Sequence, residues 1–235
     1  MSLSFARTDI TQTSQAERGT MTVLPLGKGK RQSKLGLGDS DGVVQVLGCK
    51  KEERVAVFKT LPTNAPITSL VTGKAAEQSD KIFVSSGHAI KGLNKKGKEF
   101  FRFTTNLTET IKNIHVNHTS MWAAGEYICN MYVDCKDAHF FMSNDKINDL
   151  AVAPVILDGE QNPVLACQDR FIRVVQGSDL YYEASVNGAA TALHHCESND
   201  EQRRVNGAEH AGRKEFLWGT EQGAAGQLFL DGEAV

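Results

Sequence analysis

Asn106-Leu107-Thr108-Glu109-Thr110-Ile111-Lys112-Asn113-Ile114 is the stretch that decides the fold. An Asn-bearing turn leads into two apolar residues three apart, Ile111 and Ile114. The same arrangement recurs as Asn64 before Ile67/Leu70, Asn144 before Ile147/Leu150 and Asn187 before Ala190/Leu193; Met21/Leu24 fits it without the Asn. The first apolar positions are 21, 67, 111, 147 and 190, so the intervals are 46, 44, 36 and 43. A period near this length with short strands marks a β-propeller, whose repeating blade is one four-stranded sheet. A single blade cannot bury its own apolar face, and stacking on a neighbour does so.

Working outward, each repeat divides into strands a to d. Strand a is the motif itself. Strand b reads as Leu35–Gly38, Ile82–Ser86, Met121–Ala124, Val164–Cys167 and Phe216–Gly219. Strand c reads as Val43–Leu47, Ile90–Leu93, Tyr127–Tyr132, Phe171–Val175 and Leu228–Leu230. Strand d reads as Val55–Lys59, Phe100–Phe103, His139–Met142 and Leu180–Glu183. These runs are β-branched or aromatic and end at turn residues. Asp41-Gly42 joins b to c in the first repeat, where Gly accepts a positive φ without a Cβ clash. Lys95 to Lys98 and Gln176 to Asp179 join c to d, and charge at such tips keeps outer edges from pairing with other chains. Pro62, Pro66, Pro154 and Pro163 read as lying between strands. The aromatic residues (11 Phe, 4 Tyr and 2 Trp) cluster in strands c and d, where they are expected to fill the space between blades.

The expected fold is therefore all-β: a propeller of four-stranded antiparallel blades, four complete and part of a fifth. The blades span roughly 20–60, 61–104, 105–142, 143–185 and 186–235. Residues 1–19 form an N-terminal segment in which Leu3 to Ile10 is a candidate ring-closing strand. The fifth repeat shows no strand d. On this reading either the chain is a fragment of a larger ring, or the N-terminal strand closes a ring of five. An incomplete ring would expose a blade face, so the isolated chain is expected to be poorly soluble. The polar stretch 197–215, ESNDEQRRVNGAEHAGRKE, reads as a solvated, disordered insertion between strands a and b.

Bulk properties narrow the function. The 235 residues are 40% hydrophobic and 23% charged with a net charge of −2, which argues against a broad electrostatic footprint for nucleic acid or anionic membrane. No apolar run reaches the ~20 residues of a membrane helix, and the first residues lack a signal-peptide core. The five cysteines are an odd count and lie mostly in apolar strand patterns, which reads as reduced thiols. Asp39-Ser40-Asp41-Gly42 matches the start of a calcium loop, but its twelfth position is Lys50 rather than the required Glu. Cys129, Cys135 and His139 lack zinc-knuckle spacing, and His194-His195-Cys196 alternates across a strand. No nucleophile elbow or phosphate-cradling loop is present. No cofactor is expected. What remains is surface. Turns between strands b and c project from one face of a propeller, placing Asp39, Asp41, His88, Glu126, Asp169 and Arg170 as candidate protein-docking residues.

Five segments carry a more specific likeness: GDSDGVV (38–44), AVFKTLP (56–62), TNLTETIK (105–112), DCKDAHFFMSNDKIND (134–149) and PVLACQDRFIRVVQGSDL (163–180). They resemble the N-terminal β-propeller of the Bardet-Biedl syndrome protein seven family, subunits of the BBSome, from about Phe5 to Leu230. The resemblance implies a seven-bladed ring followed by a coiled coil and further domains, of which this chain would lack two to three blades and everything downstream. It implies a non-enzymatic scaffold in a coat-like complex that carries membrane proteins into and out of cilia and supports ciliogenesis. It also implies partners: BBSome subunits two and nine, chaperonin-like assembly factors, and ciliary membrane-protein cargo bound by the complex. An Arf-like GTPase recruits that complex to membranes through a different subunit. The implied location is the cytoplasm, the cilium, its basal body and, peripherally, its membrane. Two other classes remain as alternatives. One is a propeller enzyme or metal-dependent lyase with an axial site near Thr68, Lys112, Asn148 and Asp149. The other is the substrate-recruiting propeller of a ubiquitin ligase, against which Trp122 and Trp218 lie in strand b rather than in a Trp-Asp ending.

Overall fold

The computed structural model describes residues 11–25, 33–50, 53–75, 81–156, 159–196 and 214–230. The chain divides into two compact units, Met1–Arg102 and Phe103–Val235. Every element among the described residues is a β-strand, and every sheet is an antiparallel meander in chain order.

The first unit holds two sheets of four strands. The first is β1 (Met21–Leu24), β2 (Lys34–Gly38), β3 (Val44–Lys50) and β4 (Glu53–Lys59). The second is β5 (Ser69–Thr72), β6 (Ile82–Ser86), β7 (Ala89–Leu93) and β8 (Glu99–Thr104), whose last residues cross the unit boundary. β1 lies beside β5, so the sheets stack through their first strands. Leu24, Val44, Val46, Ile67, Leu70, Ile82 and Val84 form the core between them. Each such side chain contributes about 1.5–3 kcal/mol by leaving water. Gly38 permits this approach, since a Cβ there would lie 2.7 Å from Ile67 Cγ2.

The second unit holds three sheets. One is β9 (Asn113–Asn117), β10 (Ser120–Ala124), β11 (Ile128–Val133) and β12 (Lys136–Met142). The next is β13 (Ile147–Ala153), β14 (Asn162–Cys167), β15 (Phe171–Gln176) and β16 (Asp179–Ser185). The last has three strands among the described residues: β17 (Ala190–Cys196), β18 (Lys214–Thr220) and β19 (Ala225–Leu230). β14 shows why the second strand reads as an unbroken apolar run. Leu165 and Cys167 pack with Ala124, Cys129 and Ile147, while Val164 and Ala166 pack with Ala190, Leu193 and Phe216. A strand buried on both faces needs no polar alternation.

Several expectations are corrected. Met21 fits the repeat but is 65% exposed, so only Leu24 of that pair is core. Pro163 lies inside β14 opposite Val152, not between strands. Phe100, Phe140, Tyr181 and Tyr182 on the fourth strands are largely exposed rather than interblade filling, because an outermost strand has one packed side at most. Phe83, by contrast, meets Phe100 and Phe101 edge-on at 5.9 and 6.2 Å. Lys214 and Glu215, read as the end of the polar insertion, begin β18. The rest of that insertion and Leu3 to Ile10 lie outside the described residues.

Candidate functional site

The connection between second and third strands is built differently in each sheet, and all six candidate docking residues lie on these connections. In the first unit, β2 ends at Gly38 and the chain turns through Asp39 to Val43. Asp39 is 5% exposed. Its Oδ1 accepts the main-chain N–H of Asp41 at 3.1 Å and of Val43 at 2.9 Å. The Asp39 carboxylate therefore faces its own turn, and only Asp41 of this pair is exposed. The Asp41 carbonyl accepts the N–H groups of Thr63 and Asn64, both at 3.0 Å, and its carboxylate accepts the Ser14 hydroxyl. Gly42 has φ +75° and sits against Thr63 and the Ala65 carbonyl. The 63–67 connection also reaches the next turn, since Ser86 Oγ donates to the Ala65 carbonyl at 3.2 Å. Beyond Ser86, Gly87 and His88 form a two-residue hairpin, with His88 exposed.

In the second unit the β10–β11 turn is held from outside. Glu109 Oε2 accepts the N–H groups of Glu126, Tyr127 and Ile128 at 2.6, 2.9 and 3.3 Å. The Glu126 carboxylate, half-exposed, pairs with Lys146 at 3.1 Å and Lys112 at 3.5 Å. The hydrogen bond from Lys146, reinforced by the charge of Lys112, holds its carboxyl below the usual range. Lys146 links this turn to the next one, because its carbonyl accepts the Gln168 N–H at 2.8 Å. Asp169 follows, and both its oxygens grip the guanidinium of Arg173, with Nη1 to Oδ1 at 3.0 Å. Arg173 is 3% exposed, reaches Glu183 at 3.2 Å and lies over the Phe171 ring. Its hydrogen bonds to Asp169 push the guanidinium pKa up, so the charge is permanent. Removing Asp169 would leave the buried guanidinium with Glu183 as its remaining carboxylate partner. Arg170 adopts φ +70° and is exposed.

Thus each unit joins two of its turns through the connection that follows a fourth strand. Residues 63–65 bond both to Asp41 and to Ser86 before the His88 hairpin in one unit, and Lys146 bonds both to Glu126 and to Gln168 beside Asp169 in the other. Sequence reasoning missed Glu109 and Arg173. Glu109 lies in the repeat motif itself, three residues after Asn106, and a carboxylate there is its one sequence trace.

The polar first-strand residues join sheet to sheet. Asn148 Nδ2 donates to the Ala190 carbonyl at 3.0 Å, and Asp149 Oδ2 accepts the Leu193 N–H at 2.9 Å. A register shift between Ile147 and Asp149 lets these consecutive residues both reach β17. Thr68, just before β5, instead bonds within its own sheet, its Oγ1 meeting Ser85 Oγ of β6 at 2.9 Å. Among the thiols, Cys129 is buried in β11 and burial pushes it to about 12, whereas Cys135 is exposed in the following turn. Among the described residues no three His, Cys, Asp or Glu side chains are placed to hold a metal ion. Nor is any helix there long and apolar enough to cross a membrane.

Four-stranded meanders that stack through their first strands define a β-propeller, and a solved structure bears this out. The WD40 beta propeller domain of Doa1 aligns with a TM-score of 0.64 at 12% identity, over 93% of this chain and 67% of that one. The BBS7 beta-propeller family profile matches residues 21–235, and the chain belongs to that family. The BBSome complex member BBS7 of Mus musculus is 43% identical over 203 residues, 85% of this chain and 28% of the mouse protein. The BBSome complex member bbs-7 of Caenorhabditis elegans is 29% identical over 190 residues, 78% of this chain and 26% of the worm protein. The chain therefore spans little more than a quarter of these relatives' length.

Proposed function

We propose that the chain is the propeller portion of a non-enzymatic BBSome subunit, a scaffold acting in the trafficking of membrane proteins to and from the cilium and in ciliogenesis. Membership of the family, together with the 43% identity to a mouse protein named as a BBSome complex member, carries this reading. On the same reading the complete ring has seven blades. Subunits two and nine are the principal partners, chaperonin-like factors assist assembly, and cargo is met as part of the complex. The working sites are the cytoplasm, cilium, basal body and, peripherally, the ciliary membrane.

The b–c turns of each unit are proposed as docking surfaces, each unit taken by itself. Their backbones are fixed by internal hydrogen bonds, so the exposed side chains lose little additional freedom when a partner binds. Asp41, His88, Glu126 and Arg170 are the exposed contacts, while Asp39 and Asp169 hold the turns in shape. Affinity purification of tagged full-length protein tests the reading. Recovery with other BBSome subunits is expected, and recovery alone under all conditions would overturn it.

A further inference from the structure

Among the described residues the exposed large hydrophobics lie within strands, with two exceptions, Leu61 and Tyr127. Leu61 stands on the connection bonded to the β2–β3 turn of the first unit, and Tyr127 on the β10–β11 turn of the second. Single apolar residues are common on protein surfaces and by themselves mean little. These two differ in how their backbones are held. Thr60, before Leu61, is tied to β3 twice: its N–H donates to the Val44 carbonyl and its hydroxyl accepts the Val44 N–H, both at 2.9 Å. After Leu61, Pro62 has a fixed φ and keeps the residue before it extended. Thr63 and Asn64 then both donate to the Asp41 carbonyl at 3.0 Å. Leu61 thus rides a short arch pinned at both ends and is 84% exposed, the most of any large hydrophobic among the described residues. Tyr127 is pinned through both of its own main-chain groups. Its N–H donates to Glu109 Oε2 at 2.9 Å, its carbonyl accepts the Ser143 N–H at 2.8 Å, and its side chain is 42% exposed.

A backbone pinned in this way loses little further freedom on binding, and an apolar side chain that it holds in water gains by leaving it. Charge narrows what covers Leu61. Lys59 precedes the arch and Asp41 is bonded to its far end, and both are exposed. Opposite charges on either side fit a protein surface with an apolar recess and a rim of both signs, and do not fit an anionic lipid surface. Tyr127 adds a hydroxyl that needs a hydrogen-bond partner once buried, and Tyr is enriched among the residues that carry binding energy. On the docking role proposed above for these turns, we propose that Leu61 and Tyr127 are the apolar anchors of their units, each entering an apolar recess on a neighbouring subunit of the complex.

The test uses tagged full-length protein carrying Leu61→Ser, Leu61→Met, Tyr127→Ser or Tyr127→Phe, with co-purified BBSome subunits and the melting temperature measured beside wild type. Each Ser variant is expected to lose about tenfold of the co-purified subunits at an unchanged melting temperature. Leu61→Met keeps the apolar volume and should stay within about twofold of wild type. Tyr127→Phe, which loses only the hydroxyl, should fall between wild type and Tyr127→Ser. Full recovery with either Ser variant, while combined Asp41→Lys, Glu126→Lys and Arg170→Glu lowers it, overturns that residue's role and leaves the docking turns standing. Wild-type protein recovered alone overturns both. A loss in Leu61→Met equal to that in Leu61→Ser, or a melting temperature lowered by several degrees in Leu61→Ser, assigns Leu61 to the fold and overturns its role as an anchor.

Discussion

The β2–β3 turn of the first unit and the β10–β11 turn of the second occupy the same place in their sheets and solve one problem in two ways. Each leaves main-chain N–H groups without a ladder partner. In the first, Asp39 accepts from residues two and four ahead of itself. In the second, Glu109 arrives from 17 to 19 residues away to accept from three in a row. Asp39 and its hydrogen bond to Val43 are buried, whereas the bonds that Glu109 accepts lie in a half-exposed turn. The difference teaches that burial, not the number of hydrogen bonds, sets what each carboxylate is worth, because water replaces only the bonds it can reach.

That contrast can be broken by substitution. Gly42→Ala should do most harm, since a Cβ at φ +75° would lie 2.0 Å from Thr63 Oγ1 and 2.6 Å from the Ala65 carbonyl. A loss of about 3 kcal/mol is expected in urea unfolding. Asp39→Ala should cost about 2 kcal/mol, because the Val43 N–H stays buried without a partner. Glu109→Ala, although it removes more hydrogen bonds, should cost only about 1 kcal/mol, with water entering the exposed turn. If the Glu109 variant proves the less stable of these two, burial is not the deciding factor.

The smallest effect sharpens the comparison at Glu126. Its carboxyl titrates low because of Lys146 first and Lys112 second. A depressed folded-state pKa means the ion pairs favour the fold above the unfolded carboxylate value and cease to do so as pH falls through the folded one. Lys146→Met should move the Glu126 carbon-13 titration midpoint upward and leave the melting temperature nearly unchanged. An unmoved midpoint would assign the depression to Lys112.

The local turn was legible and the distant one was not, for the same reason. Asp39 and Gly42 lie within one short window with recognisable turn chemistry. Glu109 looks like any surface carboxylate until the fold brings it to residues 126 to 128. The strand runs were legible for a related reason: β6 was read residue for residue as Ile82–Ser86, since Ile82-Phe83-Val84 is an apolar run and Gly87 ends the strand after two small serines. Bulges left no trace. Register shifts at Val46/Leu47, Met131/Tyr132 and Val174/Val175 recur between third and fourth strands, though no residue type marks them. The repeated Asn misled in another way. Asn64 adopts φ +54°, whereas Asn106 accepts the Tyr132 hydroxyl at 2.9 Å and donates to Asp137, so one letter serves two devices. The exposed aromatics of β8, β12 and β16 were misread because an aromatic strand pattern looks the same whether its rings fill an interblade space or lie along an outer edge.

The central claim is that these braced turns present their outward charges to other subunits. Full-length protein carrying Asp41→Lys, Glu126→Lys and Arg170→Glu together tests it most directly, with co-purified BBSome subunits quantified against wild type and the melting temperature measured in parallel. The account predicts at least a tenfold loss of co-purified subunits with a melting temperature within a few degrees of wild type. Undiminished recovery of those subunits would contradict it.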